Sequence, residues 1–148
     1  MPAISSSVTF LIVCAALYSA SLLLPVFQFA EGDSTFILGL VCLLCGWSYA
    51  AWFANPLIFA AHLFLRLKRP ALASSFSLVA LGLALTTLLI AEVPRNESGS
   101  KTAVTGYRFG FYLWLASIVL TLVGSVSVLL RKRSLSGYGR TSEISRGT

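Results

Sequence analysis

The stretch that decides the fold is 35-TFILGLVCLLCGWSYAAWFANPLIFAAHLFL-65, because it runs for 31 residues without a charged side chain. A continuous helix of this length would measure roughly 46 Å, while the hydrocarbon core of a bilayer is about 30 Å thick. The stretch is therefore too long for one simple span and too short for two. It predicts an apolar outer segment from Thr35 to Cys45, a break near Gly46 and a membrane span from about Trp47 to Leu65. One long, tilted and kinked helix is the alternative.

The rest of the chain has the same apolar character. Hydrophobic residues make up 57% of the 148 residues and charged residues 11%, whereas soluble domains hold about 45–50% and about 25%. A soluble chain of this size cannot remove so much apolar surface from water. The composition excludes a water-soluble enzyme and a disordered protein, and it excludes a nucleic-acid-binding protein despite the net charge of +6. The sequence predicts an integral membrane protein whose first partner is the lipid bilayer.

Three further apolar runs are long enough to cross a bilayer: Val8–Ala30, in which Pro25 should bend the last turn, Ala71–Ala91 and Tyr107–Leu130. With the span at 47–65 they predict an all-α fold, a four-helix transmembrane bundle over residues 1–130. In lipid, helices associate through small residues. We expect contact faces on three of the spans. They are Ala16 and Ala20 on the first span, Ala73, Ser77, Ala80, Ala84 and Thr87 on the third, and Ser117, Thr121, Gly124 and Ser125 on the fourth.

The basic residues predict the orientation of the bundle. Eight of the eleven Lys and Arg residues lie between spans two and three or after Leu130, and basic loops stay in the cytoplasm. Both termini are therefore expected to be cytoplasmic. Residues 131–148 are polar and basic, which predicts a disordered tail. Its first three residues, Arg131, Lys132 and Arg133, should stop transfer and attract anionic lipid by roughly 1 kcal/mol per charge.

Three polar residues of the second span, Ser48, Asn55 and His62, are spaced by seven and would share one slowly drifting stripe of a helix. Polar groups inside a membrane indicate function by default, so the stripe is a candidate binding or conduction path. The structural interpretation is that Pro56 kinks the helix, Asn55 bonds a carbonyl freed by the kink, and His62 lies at the headgroup level without a partner.

Cys42 and Cys45 form a C-x-x-C pair near the outer face, before the second of four spans. In this they resemble the quinone-dependent disulfide-forming membrane oxidoreductases, and the resemblance implies that the pair exchanges disulfides and passes electrons to quinone. Residues 93–106 lack the second cysteine pair of that family. The other interpretation is two small core residues. A zinc site is not expected because His62 lies far from both cysteines, and no other metal or cofactor is predicted.

A broader resemblance rests on Gly46-Trp47, 51-AWFANPL-57, Gly106-Tyr107 and 111-FYLWLAS-117. These segments resemble a set of small uncharacterised bacterial inner-membrane proteins with four helices. The W-x-A-N-P segment, Trp52 to Pro56, is the most specific part. The resemblance implies a multi-pass protein of the bacterial inner membrane, and it implies no activity.

No catalytic motif accompanies these segments. The single histidine lies on the opposite side from the loop serines, and the chain has no G-x-S-x-G elbow, metalloprotease motif or glycine-rich phosphate loop. The sequence therefore favours a small, non-enzymatic accessory or interaction protein with an unidentified membrane-protein partner. The alternatives are a membrane thiol–disulfide oxidoreductase that uses Cys42 and Cys45, and a small oligomeric transporter or channel subunit.

Overall fold

The computed structural model describes residues 3–29, 37–94 and 101–144, with side chains described over 9–29, 37–94 and 101–134. The described chain is mostly helical, as predicted, with helices α1 (Ala3–Leu23), α2 (Gly39–Cys45), α3 (Ala54–Arg66), α4 (Pro70–Leu85) and α5 (Phe109–Ile144). It also contains three short strands, β1 (Phe27–Phe29), β2 (Glu92–Pro94) and β3 (Lys101–Tyr107). Three parts of the predicted organisation lie outside the described residues: residue 30 at the end of the first span, residues 35–36 at the start of the outer segment, and residues 145–148 of the tail.

Two helical stretches are long and apolar enough to cross a membrane: Pro70–Leu89, where a 3₁₀ turn extends α4, and Phe109–Ser134 of α5. A third candidate is a helix pair, Gly39–Ser48 with Ala50–Arg66, which is bent by 113° at the break between them. Helix α1 contributes the shorter apolar segment Thr9–Leu23. The described helices are thus compatible with a membrane protein.

The long apolar stretch is broken where the sequence predicts. Two 3₁₀ turns, Gly46–Ser48 and Ala50–Phe53, separate α2 from α3, and Tyr49 between them is extended (φ −102°, ψ 137°). The indole N–H of Trp52 donates to the carbonyl of Leu43 at 2.6 Å, which braces the corner. One continuous kinked helix is therefore not formed.

The prediction that Pro56 kinks the second span is wrong. Helix α3 begins at Ala54, so Pro56 is its third residue. The first N–H groups of a helix have no intrahelical acceptor, and a proline in the first turn therefore costs no hydrogen bond.

The first predicted span is too long at its C-terminal end. Helix α1 ends at Leu23; Pro25 forms a bridge with Leu38, and the N–H of Val26 donates to the carbonyl of Ile37. Pro25 therefore lies beyond the helix and does not bend it. Proline cannot donate within a helix, and the aromatic and β-branched residues that follow favour extended structure.

The strands form an antiparallel sheet in the order β1-β3-β2, which departs from the all-α prediction. Phe27 pairs with Tyr107, and Val93 pairs with Thr102. Tyr107 thus belongs to β3, and α5 begins two residues later than the predicted fourth span. One face of the sheet packs on α5 through Phe27, Val93 and Phe111, which are almost fully buried.

Side-chain contacts fix the helix directions. Asn55 and His62 of α3 bond to Trp114 and Thr121 of α5, so these helices run parallel. Helices α1 and α4 run the opposite way, since Phe10 packs near Gly124 and a short turn joins α3 to α4. The turn and residues 131–133 therefore share one end, named the basic end. The sheet covers the opposite one, named the sheet end.

The small-residue faces predicted for two spans are confirmed. The buried set includes Ala73, Ser77, Ala80, Ala84, Thr87, Ser117, Thr121 and Ser125. In α1 the prediction fails, because Cys14, Tyr18 and Ser21 point inward while Ala16 is exposed. The hydroxyl of Tyr18 donates to Asn55 of α3, which ties this face of α1 to its neighbour.

Two further features concern the helix ends at the basic end. The α3–α4 turn is a Schellman motif, in which the N–H groups of Arg69 and Lys68 donate to the carbonyls of Phe64 and Leu65. Lys68 occupies the left-handed position (φ 56°) that glycine usually takes. The sequence predicts disorder from Arg131, but helix α5 continues to Ile144. The helix continues because adding residues costs little free energy once the 22 preceding residues are helical.

Candidate binding cavity

A cavity of about 260 Å³ lies at the sheet end of the helices. Its wall combines the end of α1, helix α2, the two 3₁₀ turns that follow it, the start of α3, the turn after α4, strands β1 and β2, and the first turns of α5. None of the described side chains that line it carries a formal charge. Exposed residues of α2 and the adjoining turn, among them Val41, Cys45 and Ser48, form its mouth. The cavity is therefore suited to an uncharged, largely apolar molecule.

Asn55 forms the polar part of the cavity wall. Its side-chain oxygen Oδ1 accepts two hydrogen bonds, from the hydroxyl of Tyr18 at 3.1 Å and from the indole N–H of Trp114 at 2.9 Å. Because an indole N–H can only donate, the atom that faces it must be the amide oxygen. One side chain thereby joins α1, α3 and α5.

This orientation leaves the Asn55 amide nitrogen, Nδ2, turned away from Tyr18 and Trp114. Asn55 is only 8% exposed, and Nδ2 makes no hydrogen bond among the described residues. Nδ2 is not among the fully enclosed unpaired atoms, and Asn55 lines the cavity. Asn55 therefore brings to the cavity wall an amide nitrogen that has no hydrogen-bond partner among the described residues.

Thr87 also lines the cavity, although its hydroxyl oxygen has almost no accessible surface there. Its hydroxyl oxygen is enclosed and has no partner within the described part of the chain. The other buried serine and threonine hydroxyls each donate to a backbone carbonyl three or four residues earlier; they belong to Ser21, Ser77, Ser117, Thr121 and Ser125. Thr87 lies in a 3₁₀ turn, and its hydroxyl makes no such bond to a backbone carbonyl.

The carbonyl of Thr87 is bonded, and it ties the turn to the sheet. It accepts the hydroxyl proton of Tyr107 at 3.0 Å. Burial raises the pKa of Tyr107 above its ordinary value, with a smaller contribution from Tyr112. A phenol is protonated at neutral pH in any case, so Tyr107 donates this bond and holds Thr87 at the cavity.

The polar stripe of the sequence is divided in the structure. Ser48 is exposed at the cavity mouth, because the extended residue Tyr49 separates its turn from α3. Asn55 and His62 remain on one face of α3, which meets α5. Ser48 is therefore not aligned with them along a continuous path.

His62 has a partner, contrary to the expectation that it needs none. Its Nε2 lies 2.9 Å from Oγ1 of Thr121. The Thr121 hydroxyl proton is already donated to the carbonyl of Ser117, so His62 donates and the proton is assigned to Nε2. Its role in the structure is to join α3 to α5.

The three cysteines are free thiols. Cys42 is half-buried, Cys45 is exposed, and both line the cavity. Cys14 is buried in α1. Among the described residues, no group of three or more His, Cys, Asp or Glu side chains is placed to hold a metal ion.

The sequence identified Asn55 and the two cysteines but missed three residues that shape the site. Tyr18 and Trp114 are the partners of Asn55, and Thr87 was assigned only to a helix contact. One signal for Trp114 was present: Trp114 and Thr121 repeat on α5 the spacing of seven that Asn55 and His62 show on α3. No such signal marked Tyr18, whose partner is 37 residues away.

Comparison of the chain with protein-family models, with curated proteins and with solved structures found no match. The resemblance to small four-helix inner-membrane proteins therefore stays a prediction. The resemblance to disulfide-forming oxidoreductases has the same standing. What the cavity does is inferred from its geometry and chemistry alone.

Proposed function

We propose that this chain is a four-span protein of the bacterial inner membrane that binds an apolar molecule at the outer end of its bundle. Both termini lie in the cytoplasm, and the protein acts as a non-enzymatic accessory subunit. The observation that carries the binding role is the cavity of about 260 Å³ with an uncharged wall. Small-molecule sites are concave, mostly apolar and equipped with a few polar groups, and this cavity has that composition.

Helix lengths and directions support four spans. The 20 residues Pro70–Leu89 measure about 30 Å, the thickness of the hydrocarbon core. The 13 residues of α3 and the four of the preceding 3₁₀ turn measure about 28 Å together. The basic end collects the α3–α4 turn and Arg131-Lys132-Arg133, as the positive-inside rule requires of a cytoplasmic surface.

The arrangement of polar groups supports binding without catalysis. Asn55 and His62 are used in bonds between helices, and neither pairs with a carboxylate within the described residues. The Thr121 hydroxyl that His62 contacts already donates its proton to the carbonyl of Ser117. A general acid or base needs a titratable group at the reacting atom. Among the described lining residues these are Cys42, Cys45 and Tyr49, with no carboxylate, lysine or histidine. The bonds of Asn55 and His62 to α5 give no support to a conduction path.

Native mass spectrometry tests the binding role. The full chain is purified from membranes in mild detergent, and we expect a small apolar adduct that is released as collision energy rises. Ser48→Phe places a bulky side chain at the cavity mouth and should abolish the adduct. Ser75→Phe, at an exposed position of α4 near the basic end, is the matched control and should keep it. An adduct that survives in Ser48→Phe, or none in the wild type, contradicts the proposal.

A second candidate function is thiol–disulfide exchange, because Cys42 and Cys45 both line the cavity. In that function the thiolate is the nucleophile, and no other side chain can replace it. Alkylation trapping in cells distinguishes the candidates. A Cys42–Cys45 disulfide whose level changes when quinone is depleted supports exchange. Thiols that stay reduced, with the apolar adduct retained in Cys42→Ala/Cys45→Ala, support binding alone.

A further inference from the structure

The amide of Asn55 restricts the chemistry of the molecule that the cavity binds. Its oxygen Oδ1 accepts from two donors, the Tyr18 hydroxyl and the Trp114 indole N–H, so a flip of the amide would break both bonds. Its nitrogen Nδ2 has no partner among the described residues, and Asn55 is only 8% exposed. The cavity wall therefore holds a nearly buried donor group whose orientation is fixed.

The other buried polar side chains of the wall are not available to a bound molecule. The buried lining residues with polar side chains are Ser21, Asn55 and Thr87. The Ser21 hydroxyl donates to the carbonyl of Tyr18 at 2.6 Å. The Thr87 hydroxyl oxygen has almost no accessible surface, so a molecule in the cavity does not reach it. Among these residues, Asn55 alone offers its side-chain donor to the cavity.

An unpaired donor at this position favours a particular kind of occupant. A buried donor without an acceptor costs free energy, and most such groups in folded proteins are paired. Buried water needs about two to four polar partners, and the cavity wall is largely apolar. A bound molecule with an acceptor oxygen removes the cost, whereas a pure hydrocarbon leaves it in place.

Charge and size define the rest of the molecule. None of the described lining residues is basic, so an ionised carboxylate or phosphate would be desolvated without a counter-charge, which is strongly unfavourable. The acceptor is therefore an uncharged oxygen, such as that of a carbonyl group. A cavity of about 150 Å³ accommodates benzene, so about 260 Å³ holds one substituted ring or a short length of chain.

We propose that the cavity recognises an acceptor oxygen on an uncharged, otherwise apolar molecule, and that this oxygen accepts a hydrogen bond from the amide nitrogen of Asn55. This inference rests on the proposed function, that the cavity binds an apolar molecule. It adds which group of that molecule is recognised and which atom of the protein recognises it.

NMR of the full-length chain in dodecyl maltoside, a detergent without a carbonyl group, tests the proposal. The sequence holds two asparagines, Asn55 and Asn96, and three tryptophans. Labelling these two residue types with ¹⁵N therefore gives few side-chain signals, and Asn96→Gln identifies those of Asn55. The indole signals of Trp52 and Trp114, which line the cavity, report binding. The amide protons of Asn55 report the hydrogen bond.

The probes share one phenyl ring and differ in the group attached to it. Acetophenone carries a ketone, methyl benzoate carries an ester, isopropenylbenzene replaces the ketone oxygen by CH₂, and benzoate carries a charge. Each is titrated at equal mole fraction in the micelle, and the Ser48→Phe chain gives the background from dissolved probe. We expect acetophenone to bind about threefold to tenfold more tightly than isopropenylbenzene and to move an Asn55 amide proton downfield. Benzoate should bind most weakly.

The outcomes distinguish this inference from the proposed function. Equal affinities for acetophenone and isopropenylbenzene, without a downfield shift at Asn55, overturn acceptor recognition and leave apolar binding intact. Benzoate that binds more tightly than acetophenone overturns the assignment of an uncharged acceptor. Indole changes equal to the Ser48→Phe background with every probe overturn both proposals. A preference for the ketone or for the ester, each with the Asn55 shift, supports the inference and shows which carbonyl group fits.

Discussion

Replacing Asn55 by leucine should destabilise the fold far more than the same change at His62. Asn55→Leu removes the acceptor of two hydrogen bonds, one from each of two other helices. Bonds between helices in a membrane contribute about 0.6 kcal/mol on average and about 1–2 kcal/mol in model peptides. The substitution also leaves the Tyr18 hydroxyl and the Trp114 indole N–H without an acceptor. We expect a loss of about 2–3 kcal/mol.

His62→Leu removes one hydrogen bond and leaves the Thr121 hydroxyl satisfied by Ser117. The expected loss is therefore near the average for one such bond, about 0.6 kcal/mol. A loss of 1 kcal/mol lowers the melting temperature of a domain of this size by roughly 2–4 °C. Thermal unfolding in detergent, followed by circular dichroism, should show a decrease on the order of 4–12 °C for Asn55→Leu and of about 2 °C for His62→Leu.

A double-mutant cycle identifies the cause. Trp114→Phe removes one of the two donors to Asn55 and keeps an aromatic ring in place. If the hydrogen bond matters, Asn55→Leu should cost less in the Trp114→Phe background than in the wild type, because residues in contact are not additive. Equal melting of the two leucine variants, or full additivity with Trp114→Phe, would refute the role assigned to Asn55.

Three other predictions follow from local geometry. Gly110→Ala should cost about 1–3 kcal/mol in the same melting assay, because its Cβ would lie 2.6 and 2.7 Å from two backbone carbonyl oxygens. Its control is Gly82→Ala, whose Cβ would meet nothing within 4 Å. This variant should stabilise α4 by about 0.5–1 kcal/mol. Lys68→Gly should stabilise the chain by about 1 kcal/mol, since it relieves a left-handed non-glycine residue. In single-cysteine chains, maleimide should modify exposed Cys45 faster than buried Cys14, and equal rates would contradict the packing of α1.

Two features of the fold could be predicted from the length of an apolar stretch and from the spacing of small residues. The break after α2 follows from an apolar stretch that fits neither one span nor two. The buried face of α4 follows from small residues such as Ala73, Ser77 and Ala80 at helical spacing. These inferences need only the chain's local geometry and the thickness of the bilayer.

The rest depended on contacts between distant residues. Strand β1 has three residues at the end of an apolar run, so composition could not separate it from α1. Its partner β3 lies more than 70 residues later. Asn55 could be singled out as an intramembrane polar group. Its donor on α1 could not, and its donor on α5 was marked only by a spacing of seven to Thr121. The unpaired state of Thr87 becomes visible only when every nearby acceptor is placed, because a threonine in a helix ordinarily bonds its own backbone.

The central claim is that four spans place both termini in the cytoplasm, and alkaline phosphatase fusions test it most directly. This reporter is active only after export, where its disulfides form. Fused after Asn96 it should be active, and fused after Lys68 or Arg140 it should be inactive. Activity after Arg140 would contradict the account, because an even number of crossings from a cytoplasmic start cannot place that residue outside.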